Sequence, residues 1–103
     1  EQQFTRLPAF RPEPEADRVR EAASVLASAT KPLIVAGGGV VSSQAQREVV
    51  ELAEKLQIPI ATSLNGKGIV LDTHPLSVGV CGTYSRECAN RTVSEAGLIF
   101  FIG

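Results

Sequence analysis

The residues most suited to chemistry in this chain are glycines. Gly37, Gly38 and Gly39 follow the apolar run "PLIVA" and precede a segment of helical pattern. A backbone without Cβ lets N–H groups approach a phosphate closely, and the helix after it would aim its positive dipole end at the same space. A second group, "NGKG" at 65–68, sets Lys67 between Gly66 and Gly68, where it could add a cation. Position by position, neither group is a dinucleotide or Walker fingerprint. A G-x-G-x-x-G beginning at Gly37 requires glycine at 42, where Ser42 stands. The acid that would hold an NAD ribose should end the second strand, which closes instead on "ATS". A Walker loop needs Ser or Thr after its lysine, and Gly68 follows Lys67. NAD binding and ATP hydrolysis are disfavoured, and the three glycines read equally as a phosphate cradle or as a tight strand-to-helix turn.

Catalytic side chains are scarce. His74, the sole histidine, precedes Pro75 in a turn and reads as a solvated loop residue that cannot form a metal site alone. Ser42, Ser43, Ser63 and Ser85 lack a G-x-S-x-G elbow, and no histidine is near enough in sequence to complete a triad. Cys81 and Cys88 are seven residues apart, a spacing that fits neither a C-x-x-C redox pair nor half a zinc site, so they read as buried thiols. Asp72 and the glutamates fall mostly on faces expected to be solvated, which leaves no carboxylate pair for acid–base work. The residues alone describe a binding module rather than a self-sufficient enzyme.

Composition narrows the partners. The chain has 103 residues, 44% of them hydrophobic, which suffices for one domain with a modest core. Ten Lys and Arg against eleven Asp and Glu leave a net charge of −1, and no basic cluster is interleaved with aromatics. That balance excludes an electrostatic case for nucleic acid or an anionic membrane. No apolar run is long enough to span a bilayer, and "EQQFTRLPAF" has no apolar centre of a signal peptide, so the expected compartment is the cytoplasm.

Residues 1–14 carry Pro8, Pro12 and Pro14 among alternating charges and read as an extended linker, with the domain occupying 15–103. Helical spacing predicts a helix over 15–29 with Ala16, Val19, Ala22, Ala23, Leu26 and Ala27 inward. "PLIVAGGG" predicts a strand buried on both faces. Ser43 followed by Gln46 has the pattern of a capping box opening a helix over 43–56, whose apolar stripe is Ala45, Val49, Leu52, Ala53 and Leu56. "IPIATS" (58–63) predicts a second strand, 64–82 a long loop, 85–96 a third helix with Cys88, Ala89, Thr92, Val93 and Ala96 inward, and "GLIFFIG" the last strand. Strands alternating with helices predict an α/β, Rossmann-like three-layer sandwich around a parallel sheet with right-handed crossovers. Three strands are about half of a doubly wound domain, and the expectation is a piece of a longer protein. In such a sheet ligands sit beyond the carboxyl ends of the strands, where 37–39, 62–68 and Gly103 fall.

One resemblance draws these features together. "KPLIVAGGGVVSSQAQREVVELAEKLQIPIATSLNGKG" followed by "HPLSVGVCGTYSRECANRTVSEAGLIFFIG" is similar to the central domain of thiamine-diphosphate-dependent enzymes of the acetolactate synthase (acetohydroxyacid synthase) group. The likeness covers about 15–103 and lies in the order and spacing of its parts: a proline-initiated strand into three glycines, a helix, "IP" into "TSLNGKG", then "HPL", G-x-x-G, a helix and "IG".

The resemblance implies a parent enzyme that joins or cleaves 2-oxo acids, with thiamine diphosphate and Mg²⁺ bound between N- and C-terminal domains outside this chain. No residue here would be catalytic, and the fragment itself would be inactive. It also implies a homodimeric or homotetrameric parent, whose middle domain is mainly structural but holds FAD in some members and ADP in others. In flavin-binding members the matching contacts would be Gly37, Gly38 and Gly39, then Thr62, Ser63 and Leu64, then Gly79, Val80, Cys81 and Gly82. Two positions depart from the pattern: Cys81 stands where similar synthases often have histidine, and Gly97 replaces the Asp before the last strand. The alternatives are a stand-alone nucleotide-binding or regulatory module, and a structural spacer with an empty glycine edge.

Overall fold

The computed structural model describes residues 13–80 and 87–103. The linker expected over 1–14 therefore lies almost wholly outside the described residues, as do Cys81 and Gly82 and the side chains of Cys88 and Ala89. The order of elements is α1 (Ala16–Ser28), β1 (Pro32–Ala36), α2 (Gly38–Ser42), α3 (Gln46–Leu56), β2 (Ile60–Thr62), a 3₁₀ turn (Leu64–Gly66), β3 (Ser77–Val80), α4 (Glu87–Glu95) and β4 (Leu98–Ile102).

Among the described residues the sheet has four strands in the order β3-β2-β1-β4, and every pairing is parallel. Side chains alternate between its two faces. On one face Ile60, Ile34 and Phe100 stand side by side in register and pack with Leu26, Val40, Val49, Ala53 and Ile58 from the helices and their flanks. On the other, Leu33, Val35 and Ala61 meet Val78, Val93, Ala96 and Ile99. The first face is thus covered by α1, α2 and α3 and the second by α4, which makes three layers around a sheet whose middle strand, β1, is buried on both sides.

The expected count of three strands is corrected to four. Ser77–Val80 lies inside the span expected as loop and pairs with β2, with a register shift between Ile60 and Ala61. Gly79, at φ +95°, occupies that irregularity, and its presence between Val78 and Val80 hid the strand.

The segment after β1 also differs from expectation. It forms a one-turn helix, α2, before α3, and the two are separated by Gln44 at φ +58°. The amides of Gln44 and Ala45 donate to the carbonyls of Val41 and Val40, the paired bonds of a Schellman closure. Ser43 therefore ends one helix instead of capping the next. The residue before α3 is Ala45, without a side-chain cap, so the Ser43–Gln46 capping box does not form. Val40, buried beneath α2, holds this extra turn in place. The expected stripe of α1 is narrower as well: only Leu26 is buried, and Val19 and Val25 are about half exposed.

His74 is not a solvated loop residue. Its side chain is 19% exposed, its Nδ1 accepts the Leu76 N–H at 3.0 Å, and its Nε2 lies 3.6 Å from Glu54 Oε2 on α3. Because Nδ1 accepts, the neutral ring carries its proton on Nε2, facing the carboxylate. The imidazole therefore fixes the turn that feeds β3 and ties it to α3. His74→Ala is expected to cost about 1–2 kcal/mol in denaturant unfolding, since the Leu76 amide loses its acceptor in a partly buried place. Glu54→Gln, at a position 55% exposed, should cost less than about 0.5 kcal/mol. Equal losses from the two changes would show that the contact with Glu54, not the backbone bond, carries the effect.

Candidate functional site at the carboxyl edge of the sheet

The fold brings the described candidate residues to one edge. Gly37, Gly38 and Gly39 leave β1; Thr62, Ser63 and Leu64 leave β2; Gly79 and Val80 end β3 beside them, with Thr62 paired to Val80; Gly103 follows β4. At this edge, main chain packs on main chain. The Gly37 N–H donates to the Ile102 carbonyl at 2.8 Å, and the Ser63 N–H donates to the Ala36 carbonyl at 3.0 Å. Ser63 Oγ accepts the Gly66 N–H at 3.3 Å, capping the 3₁₀ turn.

The glycines are required by this packing. A Cβ on Gly37 would strike the Gly103 carbonyl oxygen, and one on Gly39 would lie 2.8 Å from Gly103 Cα. Gly103 itself sits at φ +77°. Gly38 differs: its Cβ position is 3.1 Å from Asn65 Cβ, a side-chain atom on an exposed turn. The sequence left the cradle and the tight turn as equal readings, and the geometry explains Gly37 and Gly39 without any ligand.

The remaining candidates are largely engaged with the protein itself. Thr62 is 4% exposed within β2, Gly79 is buried, and Val80 is half-buried. Leu64 is the exception, 65% exposed on the 3₁₀ turn, with Val41 of α2 at 42%. The turn and α2 pack together, and Leu64 and Val41 are the exposed large apolar side chains on them. Lys67, just beyond the turn, is exposed. Sequence reasoning placed Gly66 and Gly103 at this edge but did not foresee how closely both pack against main chain there. Gly66 fits against the Ala36 carbonyl at the end of β1, and its place in "NGKG" was the available signal.

Among the described residues, no group of three or more His, Cys, Asp or Glu is placed to hold a metal ion. Several carboxylates are engaged in surface pairs along single helices, among them Arg18–Glu21, Arg20–Asp17 and Arg47–Glu51. The hydrogen bond from Arg47 to Glu51 raises the guanidinium pKa above its ordinary value, reinforced by the charges of Glu51 and Glu48. Such i,i+3 and i,i+4 pairs support helices and perform no chemistry.

Comparison with known proteins agrees with this geometry. The family described as "Thiamine pyrophosphate enzyme, central domain" matches residues 19–103. A probable acetolactate synthase large subunit from Methanococcus aeolicus is 41% identical over 84% of this chain, and one from Methanocaldococcus jannaschii is 37% identical over 94%. A 3D-(3,5/4)-trihydroxycyclohexane-1,2-dione hydrolase from Geobacillus thermodenitrificans is 40% identical over 90%. The chain spans only 14–17% of the length of these relatives. The order of glycine turn, 3₁₀ turn and parallel strands, together with a family match that takes in all four strands, shows that this chain belongs to the central-domain family of the thiamine pyrophosphate enzymes.

Proposed function

We propose that the chain is the scaffold portion of a thiamine-diphosphate-dependent enzyme that makes or breaks a carbon–carbon bond next to the carbonyl of a 2-oxo acid. The observation that carries this reading is the likeness to acetolactate synthase large subunits at 37–41% identity over most of the chain. Thiamine diphosphate supplies the carbanion chemistry in such a protein. The described residues offer no acid–base pair for that chemistry, so catalysis and the Mg²⁺ site are assigned to other parts of the same polypeptide. In this reading the chain contributes a rigid parallel sheet whose self-packed carboxyl edge presents Leu64 and Val41 to a neighbouring domain.

FAD or ADP is the finer question. Gly37 and Gly39 abut Gly103, and the Gly37 amide is committed to Ile102, so close main-chain packing accounts for these two glycines. The scaffold reading therefore assigns no nucleotide to them. The test uses the full polypeptide that carries this chain. With pyruvate as substrate, consumption should require added thiamine diphosphate and Mg²⁺, and the purified protein should lack flavin absorbance. Pyruvate turnover independent of thiamine diphosphate, or no turnover of any 2-oxo acid in a panel, would sink the enzymatic reading. A stoichiometric flavin band would overturn the scaffold-only assignment of the glycine edge.

A further inference from the structure

The 3₁₀ turn after β2 carries a reactive peptide bond, Asn65–Gly66. The chain has two asparagines, and only Asn65 is followed by glycine; Asn90 precedes Arg91. An asparagine side-chain amide and the next backbone nitrogen are the two ends of a five-membered ring, and a glycine, with no Cβ, leaves that nitrogen open to approach. Asn65 is exposed to water. The Gly66 nitrogen, in contrast, is restrained. Its N–H donates to the Ser63 carbonyl at 3.0 Å and to Ser63 Oγ at 3.3 Å. Gly66 is also buried against the Ala36 carbonyl, and a Cβ on it would lie 3.0 Å from Ile69 Cδ1.

From this arrangement we infer that Asn65 is a site of spontaneous deamidation, held nearly inert in the folded protein by the Ser63 cap on the Gly66 amide. In the reaction the Gly66 nitrogen attacks Asn65 Cγ as its proton leaves. The N–Cγ bond forms, the Cγ–Nδ2 bond breaks, and Nδ2 departs as ammonia with that proton. Water then opens the succinimide. Cleavage at Cγ gives aspartate on an unaltered backbone; cleavage at the main-chain carbonyl gives isoaspartate, with the backbone rerouted through the side chain and lengthened by a methylene. The sum is a water consumed and an ammonia released, with no change of oxidation state. Attack needs the Gly66 nitrogen free of both acceptors and Asn65 out of the 3₁₀ backbone, because the ring fixes a ψ far from the helical range. Both require the turn to open, and the Ser63 hydroxyl holds it closed. The isoaspartyl product cannot refit. Its added methylene displaces Gly66 from the Ala36 carbonyl, where even a methyl group has no room. Either product also sets a negative charge on the turn that bears Leu64, two residues before Lys67.

None of this depends on thiamine chemistry. The test follows the tryptic peptide 56–67 of the full polypeptide by mass during incubation at mildly alkaline pH. Conversion at Asn65 should be at least about tenfold slower in the native protein than in urea. Ser63→Ala should speed native conversion roughly fivefold, the factor by which losing a cap of ordinary strength favours the open turn, and leave the rate in urea unchanged. Ser63→Thr keeps the hydroxyl and should keep the parent rate. Without any variant, urea below the unfolding transition should speed Gly66 amide exchange and Asn65 conversion in proportion. Equal rates in native protein and in urea, or no conversion of Asn65 in urea, would overturn the proposal. Conversion indifferent to opening of the Gly66 amide would overturn it as well. So would an acceleration by His74→Ala as large as that by Ser63→Ala, since protection would then come from overall stability and not from the cap. The isoaspartyl form, separated from the parent protein, should unfold at a lower temperature; an unchanged midpoint would overturn the displacement of Gly66.

Discussion

Alanine at Gly37 is expected to lower the stability of the domain by about 3 kcal/mol, while alanine at Gly38, its neighbour, leaves it within about 0.5 kcal/mol. The contrast follows from what each methyl group would meet. At Gly37 it meets the carbonyl oxygen of Gly103, a backbone atom at the end of β4 that has no rotamer to change. Relief requires the ends of β1 and β4 to separate, which breaks the bond from the Gly37 N–H to the Ile102 carbonyl. Overpacking of this kind costs about 1–3 kcal/mol, and a lost buried hydrogen bond adds about 1 kcal/mol. For a domain of this size that is a fall of roughly 12–24 °C in the unfolding midpoint. At Gly38 the new methyl meets a side chain on an exposed turn, and alanine favours the helix that begins there. Thermal or denaturant unfolding of the two variants, side by side, decides the point. Equal and small losses would mean that Gly37 is not packed as described, and an equal loss of bound nucleotide without loss of stability would restore the phosphate-cradle reading.

The same comparison shows what could be read from the sequence. β1, β2 and β4 were legible because each is a short apolar run closed by glycine or a small polar residue, and α1 and α3 because their spacing is helical. The carboxyl edge was legible as a place, since topology alone sends 37–39, 62–64 and Gly103 there. Its character was not. Whether a glycine faces a ligand or another strand depends on contacts from residues more than 60 positions away, as between Gly37 and Gly103, and no local pattern encodes them. The false capping box has a related cause. Ser43 and Gln46 satisfy the local pattern, but the burial of Val40 rewards an extra turn before them, so a tertiary contact overrides a local preference. β3 escaped notice because four residues around a glycine carry too little alternation to stand out, and its pairing depends on β2 already being in place.

Ile34→Ala is expected to cost about 3–4 kcal/mol, near the top of what a single side-chain truncation removes here. Ile34 is fully buried at the centre of the row Ile60–Ile34–Phe100, with Leu26, Val40, Val49 and Ala53 in the same cluster. Helix and strand neighbours are each held by the sheet or by their own backbone bonds, so they close little of the space left behind, and the cavity cost is added to the lost transfer energy. Against a total stability of roughly 5–15 kcal/mol for a domain of this kind, that loss is a large fraction and shifts the denaturation midpoint well below that of the parent chain. Phe101→Ala is the informative partner. In the 103-residue chain Phe101 is mostly in water, and its truncation should cost less than about 1 kcal/mol. Denaturant titrations of both variants measure that contrast directly. Equal costs from the two changes would show that the row Ile60–Ile34–Phe100 is not packed as described.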